Sequence, residues 1–228
     1  GTPAISIASP APPGLADKRG LIKALRPLTR KAPSKDHLEF DELRTVRQLA
    51  DQRIWQIFTR PALERQVEIE LVIEESPSMV FWSSVVDEFC HLVESTGVFR
   101  KVNFWSLKTP TPDSEPALYV RSRRTAPNSL RRRPAELANY SGSRLILLIS
   151  DCISPIWHNG RINPLLETWA TKSFLSVLHL LPEEMKWRTG LRNAFPTQLR
   201  SYRPARRNTE FIVQRPDLWP YAPDQKLI

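Results

Sequence analysis

From Val67 onward the chain alternates between short, dense apolar runs and polar breaks. The run Val67-Glu68-Ile69-Glu70-Leu71-Val72-Ile73 is too rich in β-branched apolar residues for a surface strand. It predicts a buried central strand of a mostly parallel sheet. The run stops at Glu74-Glu75-Ser76-Pro77-Ser78, after which Met79, Trp82, Val85, Val86, Phe89 and Val93 recur at helical spacing, with Gly97 as the helix stop. Residues 98–107 predict a second strand, and 117–121 a short third one. The proline-rich turn between them is too short to carry a crossover helix, so these two strands run antiparallel. A brief helix at 134–139, a strand at 145–149, a helix at 163–171 and a strand at 174–181 follow. The order β-α-β-β-α-β-α-β defines an α/β fold: a mostly parallel central sheet with one antiparallel edge strand and helices on both faces. Beyond Pro182 the pattern is irregular, with a helical piece at Glu183–Arg188 and a strand near 210–213.

Upstream, the text changes character. Residues 1–13, rich in Pro, Ala and Ser, read as a disordered lead. Residues 14–57 read as a helical extension. A basic amphipathic helix at 15–31 carries Leu15, Leu21, Ile22, Leu25 and Leu28 on one side; residues 32–37 form a linker. A second helix at 41–52 turns Leu43, Val46, Leu49 and Ala50 inward. The α/β domain then occupies 58–228. The apolar ending Leu227-Ile228 reads as a strand cut off from a longer protein. The longest apolar runs are far too short to span a bilayer as helices, and no signal peptide is evident.

Composition adds charge to this picture. The chain carries a net charge of +9 with a pI near 9.9, which favours acidic partners such as nucleic acid, an anionic membrane or an acidic protein surface. The excess gathers at Arg121, Arg123, Arg124, Arg131, Arg132 and Arg133, and again at Arg200, Arg203, Arg206 and Arg207. With 7 glycines the chain has no phosphate-cradling loop, which argues against a nucleotide-hydrolysing engine in this piece. Cys90 and Cys152 lie in unrelated contexts with no zinc-type spacing, so reduced thiols and a cytoplasmic home are expected.

The chemistry concentrates where the first core strand ends. A strand that stops in carboxylates and hydroxyls just before a helix places them at the carboxyl edge of the sheet, where such folds bind ligands. Glu74, Ser76 and Ser78 are oxygen donors suited to a hard divalent cation such as Mg2+. The pattern acid-x-Ser-x-Ser-Met resembles the first metal-binding motif of von Willebrand factor A domains, with Glu74 in place of the usual aspartate. Arg144-Leu145-Ile146-Leu147-Leu148-Ile149-Ser150-Asp151 resembles the strand that ends in Thr-Asp-Gly in that family, with Cys152 at the glycine. The resemblance implies Asp151 as a further ligand and a middle-loop threonine, for which Thr125 is the candidate. Leu180-Leu181-Pro182-Glu183 and Trp187-Arg188-Thr189 look like a divergent bacterial branch of the family. That branch sits at the N-terminus of large multidomain signalling and conflict-system (anti-phage) proteins, which implies a non-catalytic interaction or sensor module.

Other readings use the same residues. In a purely structural one, Ser76 caps the following helix and Asp151 bonds amides of its own loop. Trp157 and His158, in the loop after Asp151, are candidates for gripping a partner. His158 near Ser76 or Ser78 also suggests a hydrolase, although no nucleophile elbow is present. His179, inside a core strand, is expected to be buried and hydrogen-bonded. The arginine clusters, with Tyr119, Tyr202 and Trp219 nearby, suggest a nucleic-acid surface.

Overall fold

The fold is described from a computed structural model covering residues 14–15, 17–29, 31–53, 55–111, 114–121, 131–138, 143–192, 198–200, 207–210 and 212–214. Residues 1–13, expected as a disordered lead, and Thr125, Arg123, Arg124, Arg203, Arg206, Tyr202 and Trp219 lie outside the described residues, and nothing is stated of the Arg200 side chain.

The first described element is helix α1 (Lys18–Leu25), started by Asp17, whose carboxylate accepts from Gly20 N at 2.7 Å. A 3₁₀ turn, Arg26–Thr29, prolongs it. The expected linker is instead strand β1 (Lys31–Phe40), paired antiparallel with β2 (Thr59–Arg65). Between them lies α2 (Glu42–Gln52). The extension is therefore a β-α-β unit after one helix. Residues 31–40 carry Pro33, Ser34, Lys35 and Asp36 and lack an alternating pattern, so the pairing comes from a distant partner and not from local propensity.

The central sheet forms from β3 (Glu68–Glu75), β4 (Lys101–Lys108), β5 (Ala117–Val120), β6 (Arg131–Arg132), β7 (Arg144–Ser150) and β8 (Phe174–His179). Its spatial order is β6-β5-β4-β3-β7-β8. Strands β3, β4, β7 and β8 are mutually parallel, while β5 is antiparallel to both β4 and β6. The expected reversed strand is present, but it is not the edge: the Arg131–Arg132 pair adds a sixth strand outside it. Two residues inside an arginine run give no periodicity from which to foresee that strand.

Helices cover both faces. Ile69, Leu71 and Ile73 of β3 turn to one face, where α3 (Ser83–Ser95) packs Val86, Phe89 and Val93, and Leu21 and Leu25 of α1 close the edge of the cluster. Val72, from the alternate register of the same strand, turns to the other face, towards α4 (Pro155–His158) and α5 (Asn163–Lys172) with Leu166 and the fully buried Trp169. Helix α3 ends at Thr96, and Gly97 follows at φ +55, the left-handed stop that glycine supplies without strain. A separate antiparallel pair, β9 (Gln198–Arg200) with β10 (Ile212–Gln214), is the last of the described elements.

At the amino end of β3, Glu68 bonds Arg100 at 2.5 Å and Arg144 at 3.2 Å. Burial raises this carboxyl, but the two guanidinium groups overcome that and hold it below the ordinary carboxylate range. A depressed folded-state pKa means that the anchor is at full strength above the unfolded value and is lost as pH falls through the lowered one.

Candidate functional site

Three adjacent parallel strands, β3, β7 and β8, end on the same rim. Ile73 of β3 stands opposite Ile149 of β7, and Ser150 of β7 opposite His179 of β8. The two motif stretches, Glu74–Ser78 and Ser150–Asp151, are thus brought together by strand register alone. The segment after β8 is tied back to them. Leu180 N donates to Ser150 O at 3.1 Å, and Gly190 N to Cys152 O at 2.9 Å. Gly190 lies so close that an added Cβ would meet Trp157 backbone atoms at 2.6 Å, which explains glycine there.

Glu74, expected as a metal ligand, meets protein donors on both carboxylate oxygens. Its position in β3 puts it on the face of Val72, where it is buried and accepts three hydrogen bonds from the far loop. Ser150 Oγ and Ser154 Oγ donate to its two carboxylate oxygens, and Trp157 Nε1 donates to Oε2 at 2.9 Å. It therefore clamps the β7–α4 loop onto β3. Trp157 is corrected by the same observation: its ring is buried against Glu74 and is not available to a partner. His158, one residue on, is exposed at the end of α4.

The serines are half-buried on the rim, with Ser76 Oγ and Ser78 Oγ 3.0 Å apart. Ser76 does not cap the next helix with its side chain; the 3₁₀ turn Ser78–Trp82 starts from Pro77 without a side-chain cap, held by Met79 N on Ser76 O at 3.1 Å. Asp151 is fully buried. Its Oδ1 accepts from Ile153 N at 3.2 Å, and its Oδ2 has no hydrogen-bond partner among the described residues. A buried carboxylate oxygen without a donor is costly, so this atom marks where a cation or water belongs. Among the described residues no cluster of three or more His, Cys, Asp or Glu side chains assembles, so the hard donors here are one carboxylate and two hydroxyls.

No hydrogen bond joins His158 to either serine among the described residues; the two hydroxyls bond each other. His179 departs from its expected role: its Nε2 is buried without a hydrogen-bond partner among the described residues. Of the basic cluster, Arg131, Arg132 and Arg133 are exposed at the outer edge of the sheet, Arg132 within 3.8 Å of Glu136. Arg121 is turned to Asp87 at 3.2 Å.

Sequence reasoning missed the exposed apolar side chains of this rim. Phe81 is 87% exposed and Val80 69%, on the 3₁₀ turn directly after the serines. Ile153 is exposed on the loop after Asp151, and Trp187, 68% exposed, stands on the 3₁₀ turn Glu183–Arg188 after β8. The helical spacing of Met79, Trp82 and Val85 leaves Val80 and Phe81 off the inward stripe, and that was the available signal.

Cys152 occupies φ +56, a left-handed conformation uncommon for a residue with a side chain. Burial pushes its thiol up to about 12; the nearby Glu74 and Asp151 charges add to this, and the hydrogen bond to Ser150 opposes it. At pH 8 about one thiol in ten thousand is then ionised. Since Cys90 is buried as well, an aromatic disulfide reagent is expected to titrate neither thiol in the native protein and both after denaturation. Rapid native labelling of Cys152 would contradict the buried placement.

Comparison of the chain with family models, with curated proteins and with solved structures finds no match. What the structure itself carries is the class: an α/β protein built on a mixed six-stranded sheet, compatible with a Rossmann-like arrangement. Among the described residues no helix is long and apolar enough to cross a membrane.

Proposed function

We propose that this chain is a von Willebrand A-like, non-catalytic interaction module of a larger bacterial signalling or defence protein, and that its partner docks on the rim after β3, β7 and β8. The strand order with β5 reversed, the acid-x-Ser-x-Ser turn after β3 and Ser150-Asp151 at the end of β7 support the family reading. The observation that carries the function is that Val80, Phe81, Ile153 and Trp187 are exposed on the segments that follow β3, β7 and β8, beside the hydroxyls of Ser76 and Ser78 on the first and the Asp151 carboxylate on the second. Aromatic anchors set beside a few convergent polar groups are the usual composition of a binding hot spot. A divalent cation such as Mg2+ fits this centre through Asp151 Oδ2 and the hydroxyls of Ser76 and Ser78, water and a partner carboxylate completing its shell. Glu74 stays with its three protein donors and orients the loop.

The test is photo-crosslinking from Phe81 in the full-length protein, with Lys23 of α1 as the control position, followed by titration of the purified partner. Phe81→Asp and Trp187→Asp are each expected to weaken binding by about thirtyfold or more, the scale of a hot-spot residue. Equal crosslinking from Lys23, or unchanged affinity in both variants, would end the reading. A second reading rests on exposed Arg131, Arg132 and Arg133 at the sheet edge, which suit a phosphate backbone. It requires oligonucleotide binding that weakens steeply with salt and is lost when these three arginines are neutralised.

A further inference from the structure

The β1-α2-β2 unit leaves most of its apolar surface uncovered. Of fourteen exposed large hydrophobic residues among those described, eight lie between 31 and 65. Leu43, Val46 and Leu49 of α2 do not face inward as their spacing suggested. They are 61%, 56% and 37% exposed, whereas Thr45 is the residue this helix buries. Leu38 and Phe40 of β1 and Leu63 of β2 are exposed as well. A two-stranded sheet with one helix is marginal in water without a covering layer, and so many exposed apolar side chains in one small unit mark an interface.

Two features say what covers it. The first is charge. Residues 31–65 carry seven basic and six acidic side chains, within a chain whose net charge is +9. The unit is therefore nearly neutral with both signs interspersed, so two copies meet here with little local charge repulsion although the chain as a whole is strongly basic. The second is spacing. Leu43, Val46 and Leu49 fall at i, i+3 and i+6, symmetric about Val46. Placed antiparallel about a two-fold axis at Val46, one α2 sets its Leu43 against Leu49 of the other copy and Val46 against its own counterpart. That is the self-complementarity an isologous dimer requires. Because β2 leads into the amino end of β3, this surface joins the sheet at the end opposite the rim.

We infer that the chain self-associates through α2 and the β1–β2 sheet as a two-fold dimer with the α2 helices antiparallel. Sedimentation across a range of protein concentrations is expected to show a species of twice the 26.3 kDa chain mass. Val46→Glu, at an exposed position, is expected to weaken the dimer by at least about tenfold while circular dichroism stays unchanged. Under copper-phenanthroline oxidation, Val46→Cys alone is expected to form a covalent dimer. Leu43→Cys is expected to do so only when mixed with Leu49→Cys, since the native Cys90 and Cys152 are buried. A monomer at every concentration, a dimer indifferent to Val46→Glu, or failure of Val46→Cys to crosslink would each overturn the proposal.

Discussion

Replacing Glu74 by alanine is expected to lower the folding free energy by about 3–5 kcal/mol, because the change strands three buried donors at once and leaves a void. Ser150 Oγ, Ser154 Oγ and Trp157 Nε1 all converge on this carboxylate, and each belongs to the segment that shapes the rim. Glu74→Gln should be milder, about 1–2 kcal/mol. Its carbonyl oxygen still serves Ser150 and Trp157, while its amide meets Ser154, whose hydroxyl can rotate and accept. Trp157→Phe removes one donor and keeps the ring, so it should fall in the same lower range, and the two substitutions should be coupled in a double-mutant cycle. Chemical denaturation of the four proteins measures this. A loss below about 1 kcal/mol for Glu74→Ala would mean that the clamp is not what holds the loop.

The second large effect belongs to Glu70, four residues earlier on the same strand. It is buried, accepts from Asn103 Nδ2 at 3.1 Å and Trp105 Nε1 at 2.6 Å, and lies 3.3 Å from Arg144 Nε in a contact off the hydrogen-bonding direction. Glu70→Leu alone should destabilise by about 3–5 kcal/mol, since it leaves the half-buried Arg144 with less compensating charge and two donors without an acceptor. Glu70→Leu combined with Arg144→Met should recover much of that loss, because exchanging a buried ion pair for apolar groups of similar size is often neutral. Denaturant midpoints of the single and double variants settle the sign. A double variant less stable than Glu70→Leu would show that Arg144 acts chiefly through Glu68 and the Leu137 carbonyl, which it also bonds.

The parallel strands were legible because burial on both faces leaves dense apolar runs, and 68–75 and 144–150 show them plainly. The meeting of Ser76, Ser78 and Asp151 at one rim followed from topology, since β3 and β7 had to be neighbours for the motifs to converge. The direction of Glu74 was also available: Glu70, Val72 and Glu74 share the even register of their strand, away from Ile69, Leu71 and Ile73. Motif matching passed over that alternation and so missed the hydrogen bonds that Glu74 accepts from Ser150, Ser154 and Trp157. The β1 strand and the outward face of α2 were not legible, because an amphipathic stripe states that something covers it and not what does.

The even register of β3 has one more consequence. With the buried Glu70 and Glu74 on one side and Ile69, Leu71 and Ile73 on the other, this ribbon has a right and a wrong way to enter its sheet. A shift of one position against β4 and β7 would thrust Glu70 and Glu74 among Phe89 and Val93, away from the donors that now serve them, at several kcal/mol for each stranded ion. The acidic pair thus works as an alignment key during folding, rejecting the misthreaded arrangement that a uniformly greasy strand would tolerate.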